Sequence, residues 1–237
     1  VKYKFVKGIS KVLGFEHVLL VDFSPRKTCN FDCVYCSVGR TDKWLNERKD
    51  FNTVEEVFNE INIYIKQNGE IKYMLLTGSG EPALFKGFGE LVALLRKSYP
   101  NIKLMAYTNG SMLNRSDIQS EFGKLDVIGC NLNAVYEQEF RAISQAMDGV
   151  LLKDVLDGLI QFKKKFQGVL FIDTKFVHGI NDTERNLIGL VEYIEKLNPD
   201  KYTIINRKYK GTTTSEEFMK LAKEKTSQLM LQTEIFP

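Results

Sequence analysis

Three of the chain's four cysteines fall within eight residues, in the run Cys29-Asn-Phe-Asp-Cys33-Val-Tyr-Cys36. Thiols this close together make no sensible disulfide framework. As thiolates they are ligands for zinc or for an iron–sulfur cluster. A random draw at this chain's cysteine frequency would produce the spacing on the order of one time in a thousand. Three ligands with no fourth nearby leave one iron of a compact cluster open to a non-protein ligand. Zinc would need a fourth donor, and no Cys-x2-Cys pair stands elsewhere to supply it. The polar Asn30 and Asp32 make the run poor core material, which counts against three merely buried thiols. Cys130, alone among apolar residues, reads as a small buried hydrophobe.

Five further groups carry chemistry. In Thr77-Gly78-Ser79-Gly80-Glu81-Pro82 the glycines allow close backbone approach, and Glu81 is expected to face an ammonium group. Thr108-Asn109-Gly110 and Asn131-Leu132-Asn133-Ala134 supply short amides and hydroxyls. Lys175, between Thr174 and Phe176, is expected to be a buried cation that wants a carboxylate from a cofactor or substrate. Asn206-Arg207-Lys208-Tyr209-Lys210 sets three cations where they would grip an anionic substrate, although a solvated loop explains the charges as well. His17 and His178 read as structural or surface histidines.

Hydrophobic periodicity indicates how these groups are positioned. Short β-branched runs alternate with longer amphipathic ones, the pattern of βα units in a parallel sheet. Strands are expected at 17–23, 71–77, 102–108, 127–132, 169–177 and 202–205. Helices are expected at about 53–67, 88–98, 151–166, 183–197 and 215–225, with a short extra one between the fourth and fifth strands. Thr53 reads as an N-cap, and Asn181 or Asp182 as another. The fold class is therefore α/β, a single-domain incomplete (β/α)6 TIM-like barrel. The candidate groups fall at or just after the C-terminal ends of strands, where such folds keep their active sites.

At 237 residues with a formal charge of +3, the chain fits one catalytic domain with no strong polyanion signature. No apolar run approaches the roughly 18 residues of a membrane span, and no signal-peptide core opens the chain, so a cytoplasmic protein with no membrane partner is expected. The first residue, Val1, suggests a trimmed start. Little chain follows the sixth strand, so the barrel is expected to stay open and to admit a large substrate, a protein, peptide or RNA.

Cys-x3-Cys-x2-Cys with an aromatic before the last cysteine resembles the defining loop of the radical S-adenosylmethionine (SAM) superfamily, and the resemblance runs through nearly the whole chain. It implies that Cys29, Cys33 and Cys36 hold a [4Fe-4S] cluster whose open iron is chelated by SAM. Reductive cleavage then yields methionine and a 5'-deoxyadenosyl radical. Ser79, Gly80 and Glu81 resemble the family's Gly-Gly-Glu-Pro turn at the SAM amino group, with Ser79 in place of the usual first glycine. Asn109 and Asn131 match positions near the ribose and carboxylate. Tyr35, Lys175 and Asn206 complete the expected cofactor set. The resemblance also implies a reductant such as a flavodoxin or ferredoxin.

Within the superfamily the motifs resemble the small single-cluster iron–sulfur oxidoreductases, distant relatives of wyosine-synthesising tRNA enzymes. Only Cys130 is left over, which argues against a second cluster. A glycyl-radical enzyme activase is the runner-up, although Asn131-Leu132-Asn133 stands where activases carry a charged Asp-x-Lys element. A noncatalytic iron–sulfur electron or cluster carrier would leave the other motifs unexplained.

Overall fold

The computed structural model describes residues 2–236. An eight-stranded sheet is built from β1 (Val6–Val12), β2 (Phe15–Asp22), β5 (Tyr73–Thr77), β6 (Lys103–Thr108), β7 (Val127–Asn131), β8 (Val169–Phe176), β9 (Lys201–Asn206) and β10 (Gln232–Phe236), hydrogen-bonded in that order. The β1–β2 pair is antiparallel and every other pair is parallel, with β1 and β10 as open edges. A two-stranded patch, β3 (Thr28–Cys29) and β4 (Lys43–Trp44), lies apart from this sheet. The helices are α1 (Val54–Asn68), α2 (Phe88–Ser98), α3 (Ser116–Phe122), α4 (Glu137–Ser144), α5 (Leu152–Lys163), α6 (Glu184–Leu197) and α7 (Glu216–Thr226).

This is the expected α/β partial barrel, extended on both sides. The six expected strands are all present, and β1 and β10 flank them. β10 overturns the expectation that the sheet ends with its sixth parallel strand. Its five residues, three polar followed by Ile235 and Phe236, show no alternation and are too few to signal a strand by themselves. In β1 the apolar residues are broken by Lys7, Gly8 and Lys11, with two register shifts against β2, so the alternation that marks a strand is lost. His17 is exposed inside β2 at φ 54°, not at the strand's start.

Period-2 alternation sorts each parallel strand between two faces. Leu19, Val21, Met74, Leu76, Leu104, Ile128, Leu170, Ile172 and Ile204 pack outward under the helices in the large core. Val18, Leu75, Met105 and Val127 pack inward as a small apolar plug, joined by Leu13 and Phe15 from the β1–β2 hairpin. Polar side chains of the inner face therefore stand on a closed apolar floor. Thr53 caps α1 in a capping box with Glu56, as expected. The cap of α6 is Thr183, not Asn181 or Asp182, because its hydroxyl accepts from the Asn186 N–H at 3.2 Å.

Candidate active site

The cysteine run leaves β3 as a loop that is clamped from both ends. Phe31 enters an apolar cluster with Phe140, Val150, Leu152 and Val155, against which Cys29 and Cys33 also pack. The polar residues between the thiols are buried, contrary to the sequence expectation, with Asn30 0% and Asp32 1% exposed. Each has found partners: the Asn30 amide donates to Ser111 Oγ at 2.8 Å and its oxygen accepts from Asn109 Nδ2 at 2.8 Å. The Asp32 carboxylate accepts the Thr41 N–H at 2.6 Å and pairs with Arg40 Nε at 2.7 Å. The partners of Asn30 are far away in sequence and give no local signal, those of Asp32 come from the following loop, and a polar residue with such partners belongs in a core.

The three thiols are free and half-buried. Donors point at them: the Phe31 N–H at 3.4 Å and Asn109 Nδ2 at 3.7 Å from Cys29 Sγ, and Lys27 Nζ at 3.3 Å from Cys36 Sγ. Burial pushes the Cys29 thiol up to about 12, with the Glu81 carboxylate adding to the shift. Burial likewise pushes Cys33 up to about 11, opposed by its hydrogen bond with Tyr35. Thiols this reluctant to ionise alone become ligands when a metal displaces their protons. Among the described residues no three His, Cys, Asp or Glu side chains are gathered to hold one metal ion. A structural zinc takes four donors, and the run supplies three. The donor set, three soft sulfurs with N–H donors around them, fits an iron–sulfur cluster.

The turn after β5 is built as tightly. A Cβ on Gly80 would stand 1.8 Å from the Thr28 carbonyl oxygen, so only glycine lets the turn cross the strand that leads into Cys29. Asp22, which the sequence reading passed over, receives the Ser79 N–H at 2.9 Å and the Ser79 hydroxyl. Its place at the inward end of β2 was the available signal. Glu81 corrects another expectation. Its carboxylate is 2% exposed and accepts from Thr108 Oγ1 at 2.6 Å, the Asn109 N–H at 2.8 Å and the Ala83 N–H at 3.0 Å. It ties the β5 turn to the end of β6 and does not present itself to an ammonium. Burial holds its carboxyl above the usual range, against the pull of those three donors.

Further around the inner face, Lys175 Nζ donates to the Tyr107 hydroxyl at 3.2 Å and to Asn131 Oδ1. It sits 5.4 Å from the Tyr35 ring centroid and 5.6 Å from that of Tyr107. Tyr107 in turn donates to Asp173. Tyr107 and Asp173 were not singled out from sequence, and their inward, period-2 positions beside Asn131 and Lys175 were the signal to use. Burial lowers the Lys175 ammonium from its ordinary value, and Asp173 offsets part of that. Asp173, a protein carboxylate that acts on Lys175, is thus one hydrogen bond removed, behind Tyr107. Tyr35 is held by Asn133 Nδ2 at 2.7 Å from its hydroxyl. Asn206 turns aside: its amide accepts the Thr214 N–H at 2.9 Å and donates to the Thr214 carbonyl at 3.1 Å. Cys130 is buried, as expected. His178 is exposed and lies 3.1 Å from Asp182.

The radical SAM superfamily model matches residues 23–191, from the end of β2 into α6. The chain belongs to the radical SAM superfamily. Among curated relatives it is 31% identical over 197 residues to UPF0026 protein MJ1312 of Methanocaldococcus jannaschii, covering 82% of this chain and 59% of that one. The chain spans less than two thirds of the length of the first curated relatives it matches. In fold, this radical SAM chain is similar to a radical SAM methyltransferase from Sphaerobacter thermophilus, with a TM-score of 0.65 at 13% identity over 92% of this chain and 66% of that one. It is also similar to Streptococcus suis SuiB bound to S-adenosylmethionine, with a TM-score of 0.63 at 13% identity over 92% of this chain and 48% of that one. No helix among the described residues is long and apolar enough to cross a membrane.

Proposed function

We propose that this protein is a radical SAM enzyme in which Cys29, Cys33 and Cys36 hold a [4Fe-4S] cluster and the neighbouring rim binds SAM. The observation that carries the reading is a loop of three free thiols, clamped by buried Asn30 and Asp32 and met by N–H donors, against the Ser79–Glu81 turn. When bound, the cluster supplies the electron that cleaves SAM to methionine and a 5'-deoxyadenosyl radical.

The chain's own residues then have distinct tasks. Lys27, Asn109 and the Phe31 N–H stabilise charge on the sulfurs. The main chain of Ser79 and Gly80 approaches the SAM amino group, and Glu81 is a positioning residue that holds that turn. Asn131 and Lys175 receive the ribose and carboxylate, with Tyr35 packed beside Lys175. Asn206 acts through the loop it pins. The apolar plug beneath the polar layer keeps bulk water from reaching the reactive centre from below. The partially exposed cysteine loop suits electron entry from a flavodoxin or ferredoxin. The uncovered sheet edges support an accessible substrate such as a protein, peptide or RNA.

Anaerobic reconstitution with iron and sulfide, followed by dithionite and SAM, tests this directly. Equal release of methionine and 5'-deoxyadenosine is expected. A reconstituted cluster that leaves SAM intact would make the protein an electron or cluster carrier instead.

A further inference from the structure

The loop between β9 and α7 holds Arg207, Lys208 and Lys210, and no acidic residue stands from Asn206 to Thr214. All three cations are exposed, and no ion pair among the described residues includes any of them. Like charges so close would splay a loop that had no structure of its own. This one is closed. Asn206 bonds Thr214 in both directions, and the Arg207 N–H donates to the Phe176 carbonyl at 2.9 Å. Tyr209 and Thr212 exchange backbone hydrogen bonds at 2.8 and 2.9 Å, with Lys210 and Gly211 at φ 48° and 86°, the signs of a tight two-residue hairpin turn. The mutually repelling cations are held in a fixed frame.

That frame borders a groove of about 540 Å³ lined by Val34, Gln138, Gln145, His178, Tyr209 and Lys210. The volume suits a small-molecule group. The groove reaches the cysteine loop at Val34, and the Arg207 guanidinium lies 3.5 Å from the neighbouring Tyr35 carbonyl oxygen. Asp182, beside the groove, is already met by the Gly179 N–H at 2.7 Å and by His178. Lys210 lines the groove, Arg207 and Lys208 stand on the same closed backbone frame beside it, and with the amides of Gln138 and Gln145 and the Tyr209 hydroxyl they offer donors suited to the oxygens of a phosphate group.

We propose that the Arg207–Lys210 hairpin and its groove bind a phosphate-bearing substrate of the reaction at the adjoining rim. Calling the ligand a substrate rests on the radical SAM reading, whereas the binding itself does not.

Calorimetric titration of the full, reconstituted protein with inorganic pyrophosphate at fixed ionic strength tests the site, with citrate as a carboxylate control. Saturable pyrophosphate binding is expected, weakened about ten-fold or more in R207Q/K208Q/K210Q and retained in the charge-preserving K208R/K210R. Removing two exposed charges at the end of α5, in K164Q/K165Q, should change it less than about two-fold. Absence of pyrophosphate binding, equal loss in K164Q/K165Q, or citrate binding as tightly would each overturn the proposal. SAM cleavage measured on the same preparation separates the two readings. Cleavage without pyrophosphate binding overturns only the hairpin site, and binding without cleavage overturns only the radical SAM function.

Discussion

The rim of the barrel divides into two halves that treat charge in opposite ways. From β2 to β6 the carboxylates of Asp22 and Glu81 are turned into the protein and satisfied by neutral donors, Ser79 for one and Thr108, Asn109 and Ala83 for the other. From β8 to the loop after β9 the cations Lys175 and Arg207 meet only neutral acceptors, Tyr107, Asn131 and the Tyr35 carbonyl. The first half uses its charges to fix a cradle, and on the functions proposed above the second keeps its charges for an arriving anion. A buried carboxylate bonded on every side rigidifies, whereas a cation without a counter-ion is an incomplete site.

Removing a sulfur tests the cradle most severely. Cys29→Ser, Cys33→Ser or Cys36→Ser should each lose most iron and the associated visible absorbance after reconstitution, and retention of full iron by any one would remove that residue from the ligand set. Next in size is Gly80→Ala. With its Cβ 1.8 Å from the Thr28 oxygen, backbone must move, and a loss of about 4 kcal/mol or more in chemical denaturation is expected. A change under about 1 kcal/mol would mean the crossing is looser than described.

Glu81→Gln replaces an all-acceptor group with one whose amide nitrogen faces donors. It should cost about 1–3 kcal/mol, and an unchanged melting curve would show that the carboxylate does not staple β5 to β6. On the other half, Lys175→Met should be nearly neutral for stability, because a desolvated cation is removed, yet weaken SAM binding about ten-fold. If stability falls sharply while SAM affinity holds, Lys175 is a packing element and the contrast between the halves fails. Asn206→Ala is the mildest change, about 1 kcal/mol, with faster amide exchange confined to residues 207–214.

The elements that were legible from sequence are those with long, strongly periodic patterns. The six inner strands and the five longer helices were readable because apolar positions recur along them, and Thr53 read as a cap. The edge strands were not, because β1 is interrupted by bulges and lysines and β10 is five residues long. α3 was missed for its brevity, seven residues with few apolar ones. In the site, Cys29, Cys33 and Cys36 announced themselves through spacing alone. What spacing does not encode is which partner a polar group finds. Glu81 was assigned outward because a glutamate after a glycine turn suits an ammonium, and Thr108 lies too far along the chain to suggest otherwise. Asn30 misled for the same reason, Asp32 because nothing in its pattern shows that the loop through Arg40 and Thr41 folds back on it, and Asp22, Tyr107 and Asp173 emerge only once inward-facing positions from neighbouring strands are set side by side.

Electron paramagnetic resonance of the reduced, reconstituted protein, recorded with and without SAM, tests the central claim most directly. A cradle that holds a [4Fe-4S] cluster with one iron open beside Ser79, Asn131 and Lys175 predicts a signal from the reduced cluster that changes shape when SAM is added, and changes less in Lys175→Met. A cluster signal indifferent to SAM, or stoichiometric zinc in place of iron, would contradict it.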